Sequence, residues 1–292
     1  MRPTTAVPSP DQQPVTLELL AEKKRRGVPI VMVTAYDFPS AQMIEDSGVI
    51  DLVLAGDTGA EMVLGYDSTT PVSLDEMLVM TAAVRRGLHT PLLIGDLPFG
   101  SYESSDEQAV RTAHRLVKQG GADVVKLERA GASLSRVRAI VRAGIPVMGH
   151  LGLTPQTETA LGGRRVQGRS AAKAGQLLAD ARALVDAGCF AIVFEAVPAV
   201  VATAVSARLP VPTIGIGAGA GTDGQVLVWH DLLGLYEWRP RFAKAYATLR
   251  PDISQALSSY ASEVRSRSFP APEHFYNIDA NELREFFAEL DE

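Results

Sequence analysis

Cysteine is almost missing: Cys189 is the only one in 292 residues, so no disulfide can close within the chain. Its apolar neighbours mark a buried thiol rather than a nucleophile. Long hydrophobic runs are missing too. The most apolar stretch, Cys189 to Val205, is broken by Glu195 and Pro198, which argues against a membrane span. Positive charge is not in excess: 28 Lys and Arg face 34 Asp and Glu, so no basic stripe can neutralise a run of phosphates and a nucleic-acid partner is excluded. Neither an HExxH spacing nor paired cysteines occur, which speaks against zinc. Met1 to Pro14 is proline-rich and polar without an apolar h-region, so no secretory signal is expected, and a cytoplasmic, reducing compartment is.

What is present is a repeating unit. Short branched apolar runs occur at Pro29–Thr34, Leu52–Asp57, Leu92–Asp96, Val124–Glu128, Ile145–His150, Phe190–Glu195, Val211–Gly217 and Val226–His230. Helical patterns lie between most of them, at Phe38–Ser47, Leu134–Ala143, Ala171–Ala187 and Ala199–Ala207. Two more helices open on capping-box spacings, Ser73 to Glu76 and Ser104 to Glu107, and run to Gly87 and Gly120. Eight strands alternating with helices imply parallel pairing with right-handed crossovers. A closed (β/α)8 barrel of the α/β class is the simplest solution at this length, with an open doubly wound sheet as the alternative. The spacing divides the chain into a loose tail over 1–15, a barrel over 16–267 that starts with a helix at Thr16–Arg26, and an extension over 268–292. That extension carries an amphipathic helix, with Leu283, Phe286, Phe287 and Leu290 on one stripe.

Four of the strand-like runs finish in an acid: Asp57, Asp96, Glu128 and Glu195. Side chains alternate faces along a strand, so counting back by twos puts each acid on the face of small or branched apolar residues, as a barrel interior requires. For Asp57 these are Ala55 and Val53; for Glu128 they are Lys126 and Val124. His150 ends a fifth strand in the same way. Barrel chemistry sits at the carboxyl ends of strands. Four carboxylates gathered there repel one another unless cations offset them. Lys126 supplies one positive charge, and a hard divalent ion such as Mg2+ suits the remaining all-oxygen set.

Two other signals are weaker. Gly219-Ala-Gly-Thr-Asp-Gly224 fits GxGxxG, yet it precedes a strand instead of opening a helix, so a dinucleotide site is disfavoured. It could let backbone approach a ligand, or simply turn the chain. The loop from Gly149 to Gly168 has the length of a lid over the site or of a passive surface loop.

Val33-Thr-Ala-Tyr-Asp37, Gly56-Asp57, Gly65-Tyr-Asp-Ser-Thr69, Asp96-Leu-Pro-Phe99, Val125-Lys-Leu-Glu128, Gly149-His-Leu-Gly-Leu-Thr-Pro-Gln156, Val166-Gln-Gly-Arg169, Glu195, Ile214–Gly219 and Thr222-Asp-Gly-Gln225 together resemble the ketopantoate hydroxymethyltransferase family. The resemblance runs from about Thr16 to His274 in the family's order. It implies a (β/α)8 barrel that moves a one-carbon unit from 5,10-methylenetetrahydrofolate to 3-methyl-2-oxobutanoate through a Mg2+-stabilised enolate, on the route to pantothenate and coenzyme A. It also implies a homo-oligomer, often a decamer. Carried over by position, Asp57, Asp96 and Glu128 would be metal ligands. Asp57, Thr58, Asp96 and Lys126 would contact substrate, and Glu195 would accept the proton. Thr58 stands where the family usually has serine. A Mg2+-dependent C–C lyase or mutase of the phosphoenolpyruvate mutase and isocitrate lyase type is the alternative activity.

Overall fold

The computed structural model describes residues 13–290. Eight strands, β1 (Ile30–Thr34), β2 (Leu52–Ala55), β3 (Leu92–Asp96), β4 (Val124–Glu128), β5 (Val147–Gly152), β6 (Cys189–Glu195), β7 (Thr213–Ile216) and β8 (Gly224–Leu227), pair in chain order and close on themselves. Every pair is parallel, and the closing pair sets Ile30 opposite Gly224. The closed barrel therefore holds, and the open sheet does not. Among the described residues no helix is long and apolar enough to cross a membrane.

Two apolar layers hold the barrel. Ile30, Met32, Leu52, Leu54, Leu92, Ile94, Val124, Met148, Ala191, Val193, Ile214 and Val226 fill its inside. The alternate strand residues pack outward on the helices; Val53, Ala55 and Leu93, for example, meet Ala41, Ile44 and Val84. Each such side chain is buried, a contribution of about 1.5–3 kcal/mol for each valine, leucine, isoleucine or methionine and less for the alanines. Helix starts are chemically specified. Thr16, Asp37, Ser73, Ser105 and Ser170 each accept a first-turn N–H through the side chain, which satisfies a donor the helix itself leaves open.

Several boundaries differ from the sequence reading. The helix expected to open with a Ser104–Glu107 box is capped one residue later: Ser105 accepts from Gln108 N–H, and the Gln108 side chain reaches back to Ser104. β8 starts at Gly224 rather than Val226, and the chain is already helical from Trp229, so His230 is not a strand residue. Only glycine suits that first position, because a Cβ there would lie 2.4 Å from Ile30 O. At Gly221 a Cβ would lie 1.9 Å from Thr203 Oγ1. Close packing thus accounts for these glycines of the loop between β7 and β8.

Residues 1–12 of the expected loose tail lie outside the described residues, but Val15 is buried and its N–H donates to Thr90 O. Contacts also divide the chain elsewhere than at residue 267. The first compact unit ends at Leu232 and takes in Trp238–Lys244; Leu233–Glu237 and Ala245–Glu292 form a second. The helix Leu249–Ser266 lies in the second unit. The helix Ala280–Leu290 keeps Leu283, Phe286, Phe287 and Leu290 exposed.

Candidate active site

Strand register assembles the site. β3 and β4 pair Asp96 with Lys126, so two inward-facing side chains meet on neighbouring strands. Lys126 Nζ donates to both Asp96 oxygens at 2.7 Å, with both side chains almost wholly buried. Burial alone would pull the Lys126 pKa down, but the Asp96, Asp57 and Glu128 charges outweigh it and hold the ammonium above its ordinary value. One strand further, β4 and β5 pair Glu128 with His150. β5 and β6 then pair Gly152 with Glu195.

His150 stands between two acids. Its Nδ1 lies 3.3 Å from Glu128 Oε1 and its Nε2 lies 3.3 Å from Glu195 Oε2. Neither contact has good hydrogen-bond direction, so the attraction is mainly one of charge. Burial lowers the imidazole's affinity for a proton, yet the two carboxylates win and its pKa is pushed up to about 9. His150 is therefore a cation at neutral pH. This residue was noted in the sequence only as a strand end, without a role.

Asp57 reaches the site by a different path from that read in the sequence. Counting by twos had placed it with Val53 and Ala55, but those two face the helices, and Leu52 and Leu54 face inside. On strand parity Gly56 would point inward. Instead β2 stops at Ala55 and the chain turns, with Gly59 N–H donating to Gly56 O and Ala60 N–H to Asp57 O. That turn brings the Asp57 carboxylate into the same pocket. The Asp57 N–H donates to Asp96 Oδ2 at 3.2 Å. Burial and the Asp96 charge push the Asp57 carboxyl well above the usual range, and burial raises Asp96 as well, against the pull of Lys126.

The pocket at the carboxyl ends of the strands brings together every residue singled out from sequence: Asp57, Thr58, Asp96, Lys126, Glu128 and Glu195, with His150 added. Leu54, Val193, Ile216, Val226 and Val228 give it a branched apolar floor. Thr58 Oγ1 is 2.7 Å from Tyr36 OH. Two residues on loops complete the site and were not read from sequence as functional. Tyr102 follows β3, and Gln156 lies on the short turn Pro155–Thr157 after β5; their hydrogen bonds reach Asp57 and Glu128. Gln156 stands inside one of the motifs quoted above, but nothing in its spacing indicates that it folds back onto an acid.

The pocket gathers the oxygen donors that a hard cation takes. Among the described residues no three His, Cys, Asp or Glu side chains are placed to hold a metal ion by themselves. Glu128 lies in the same pocket, with Oε2 accepting from Gln156 N–H and Oε1 3.3 Å from His150 Nδ1. Asp57 and Asp96 are adjacent. Mg2+ commonly takes one or two carboxylates and completes its shell with water and substrate oxygens, so two aspartates fit it. Four carboxyl groups share the pocket with one lysine and one histidine, an excess of acidic groups that suits a divalent ion.

A closed barrel with acids, a buried lysine and a histidine at its carboxyl-end mouth defines a (β/α)8-barrel enzyme. The profile of ketopantoate hydroxymethyltransferase matches residues 14–272, and the chain belongs to that family. An Arabidopsis thaliana protein, "3-methyl-2-oxobutanoate hydroxymethyltransferase 1, mitochondrial", is 51% identical over 97% of this chain and 84% of its own length. The 3-methyl-2-oxobutanoate hydroxymethyltransferase of Moorella thermoacetica is 55% identical over 90% of this chain and 97% of its own. Among solved structures, a phosphoenolpyruvate phosphomutase from Streptomyces platensis subsp. rosaceus aligns with TM-score 0.57 at 13% identity, covering 92% of this chain and 97% of that one. A phosphonopyruvate hydrolase in complex with oxalate and Mg2+ aligns with TM-score 0.56 at 14% identity, covering 94% and 95%. These two likenesses establish the shared barrel.

Proposed function

We propose that this barrel transfers a hydroxymethyl group from 5,10-methylenetetrahydrofolate to 3-methyl-2-oxobutanoate, giving 2-dehydropantoate and tetrahydrofolate. The observation that carries the reading is the pocket itself. It sets a carboxylate base, Glu195, and a buried cation, Lys126, above a floor of branched apolar side chains.

Each residue has a task. Lys126 is held charged by Asp96 and offers donors to the substrate carboxylate. The apolar floor takes the isopropyl group, so the C3 hydrogen faces Glu195. Glu195 accepts the C3 proton, and C3 forms the new bond to the one-carbon unit of the folate; water then releases tetrahydrofolate. His150, with Nε2 3.3 Å from Glu195 Oε2, sets an imidazole beside the base. Thr58 presents a hydroxyl anchored by Tyr36. Asp57, Asp96 and Glu128 would hold Mg2+, which when bound supplies positive charge against the negative charge that develops on the keto oxygen. The phosphonopyruvate hydrolase of similar fold, a complex with oxalate and Mg2+, supports this reading.

The test is exchange of the C3 proton of 3-methyl-2-oxobutanoate in heavy water, with Mg2+ and without folate. Exchange is expected, with loss on chelation by EDTA and a fall of about 10²–10⁴-fold in Glu195→Gln, the range for a general base. Undiminished exchange in that variant would remove Glu195 from the role. Cleavage of oxaloacetate-like acids without such exchange would favour the lyase alternative.

A further inference from the structure

Gln156 is 3% exposed and, although it lies on a loop, makes four hydrogen bonds inside the site. Tyr102 OH lies 2.6 Å from its Oε1. Its Nε2 lies 2.9 Å from Asp57 Oδ2 and 2.9 Å from Leu97 O. Its main-chain N–H donates to Glu128 Oε2 at 3.2 Å. The neighbours leave the amide one orientation. Leu97 O can only accept, so it must face the NH2 group. The Tyr102 hydroxyl accepts from Glu128 N–H at 3.4 Å, and its own hydrogen is free for Gln156 Oε1. Burial and the Glu128 charge keep that hydroxyl protonated.

Asp57 needs such a partner. It sits on a turn beyond β2, so the sheet does not aim its side chain, and Lys126, which acts on it by charge, donates its hydrogen bonds to Asp96. An amide proton on Oδ2 fixes which edge of the carboxylate faces the pocket. We infer that Gln156 is a positioning residue for Asp57: its amide, locked by Tyr102 and Leu97, turns one oxygen of Asp57 toward the cation and the keto acid. The inference rests on the reading of Asp57 as a cation-binding residue. The same four bonds tether the loop after β5 to strands β2, β3 and β4 at their carboxyl ends, so loop placement and carboxylate placement are one event.

The experiment compares Gln156→Met, which keeps side-chain length and the main-chain bond to Glu128, with Tyr102→Phe, which removes one oxygen. Mg2+ binding is read by calorimetry and by the shift of the melting midpoint on Mg2+ addition; KM and kcat for 3-methyl-2-oxobutanoate are read separately. Gln156→Met is expected to weaken Mg2+ binding about 10–100-fold, as loss of an outer partner of a metal ligand does. The keto acid KM should rise with it, and kcat at saturating Mg2+ should change less. Tyr102→Phe should move the same quantities by a smaller factor, and the double variant should be no worse than Gln156→Met, because the two act in series. A lower melting point with Mg2+ affinity unchanged in both variants would overturn the inference alone. No Mg2+ binding by the parent protein would overturn the cation reading beneath it. Should Gln156→Met fail to fold, Tyr102→Phe is read in the same assays with the same two outcomes.

Discussion

His150 Nε2 and Glu195 Oε2 lie 3.3 Å apart, with the second imidazole nitrogen against Glu128, so a single buried ring links the proposed base to a neighbouring acid. The folded-state pKa of about 9 stands above the ordinary 6.5, so the folded protein holds a proton there that the unfolded chain gives up. Stability from this group is fully present below about pH 6.5 and is lost as pH rises through about 9. In EDTA, urea denaturation should show the parent losing roughly 3 kcal/mol across that window, by the linkage of one pKa unit to about 1.4 kcal/mol. His150→Gln should show a flatter profile. Equal slopes for parent and variant would remove His150 as the source.

Asp96 and Lys126 form a pair that is buried at both ends. Asp96→Asn leaves the buried ammonium with weaker partners, at a cost on the order of 3 kcal/mol. Asp96→Asn in a Lys126→Met background should recover part of that loss, because no orphaned ammonium remains. Chemical denaturation of the two single variants and the double variant gives the coupling directly. Additive losses would mean that the pair does not act as a unit.

Far from the site, Glu45 on the helix Phe38–Ser47 accepts from His89 N–H, Thr90 N–H and the Thr90 hydroxyl, and so pins the segment leading into β3. Burial raises its pKa, but these donors prevail and hold it below the usual 4.5. Its contribution is present above about pH 4.5 and disappears as pH falls through the lower folded value. Glu45→Ala should cost about 2 kcal/mol at pH 7 by leaving main-chain donors without a partner. The difference from the parent should shrink in acid; a constant difference down to pH 3 would contradict this account.

The strand count, the parallel order and most inward-facing positions follow from the chain alone. A period of two and branched apolar residues leave few other ways to bury eight such runs, and Asp96, Lys126, Glu128 and Glu195 sit on the parity the sequence sets. Asp57 shows where that rule ends. It enters the pocket by a turn that breaks parity, and strand periodicity carries no information past the last hydrogen-bonded residue. Nor could local pattern disclose the register of β8 on β1, the His150 contacts or the reach of Gln156 back to Asp57, which join residues about 100 or more positions apart or on separate strands. The chain by itself determined which residues are inward and chemical; only the tertiary structure decided which of them meet, because register between strands and the path of a loop are set by packing of distant parts rather than by neighbours along the backbone.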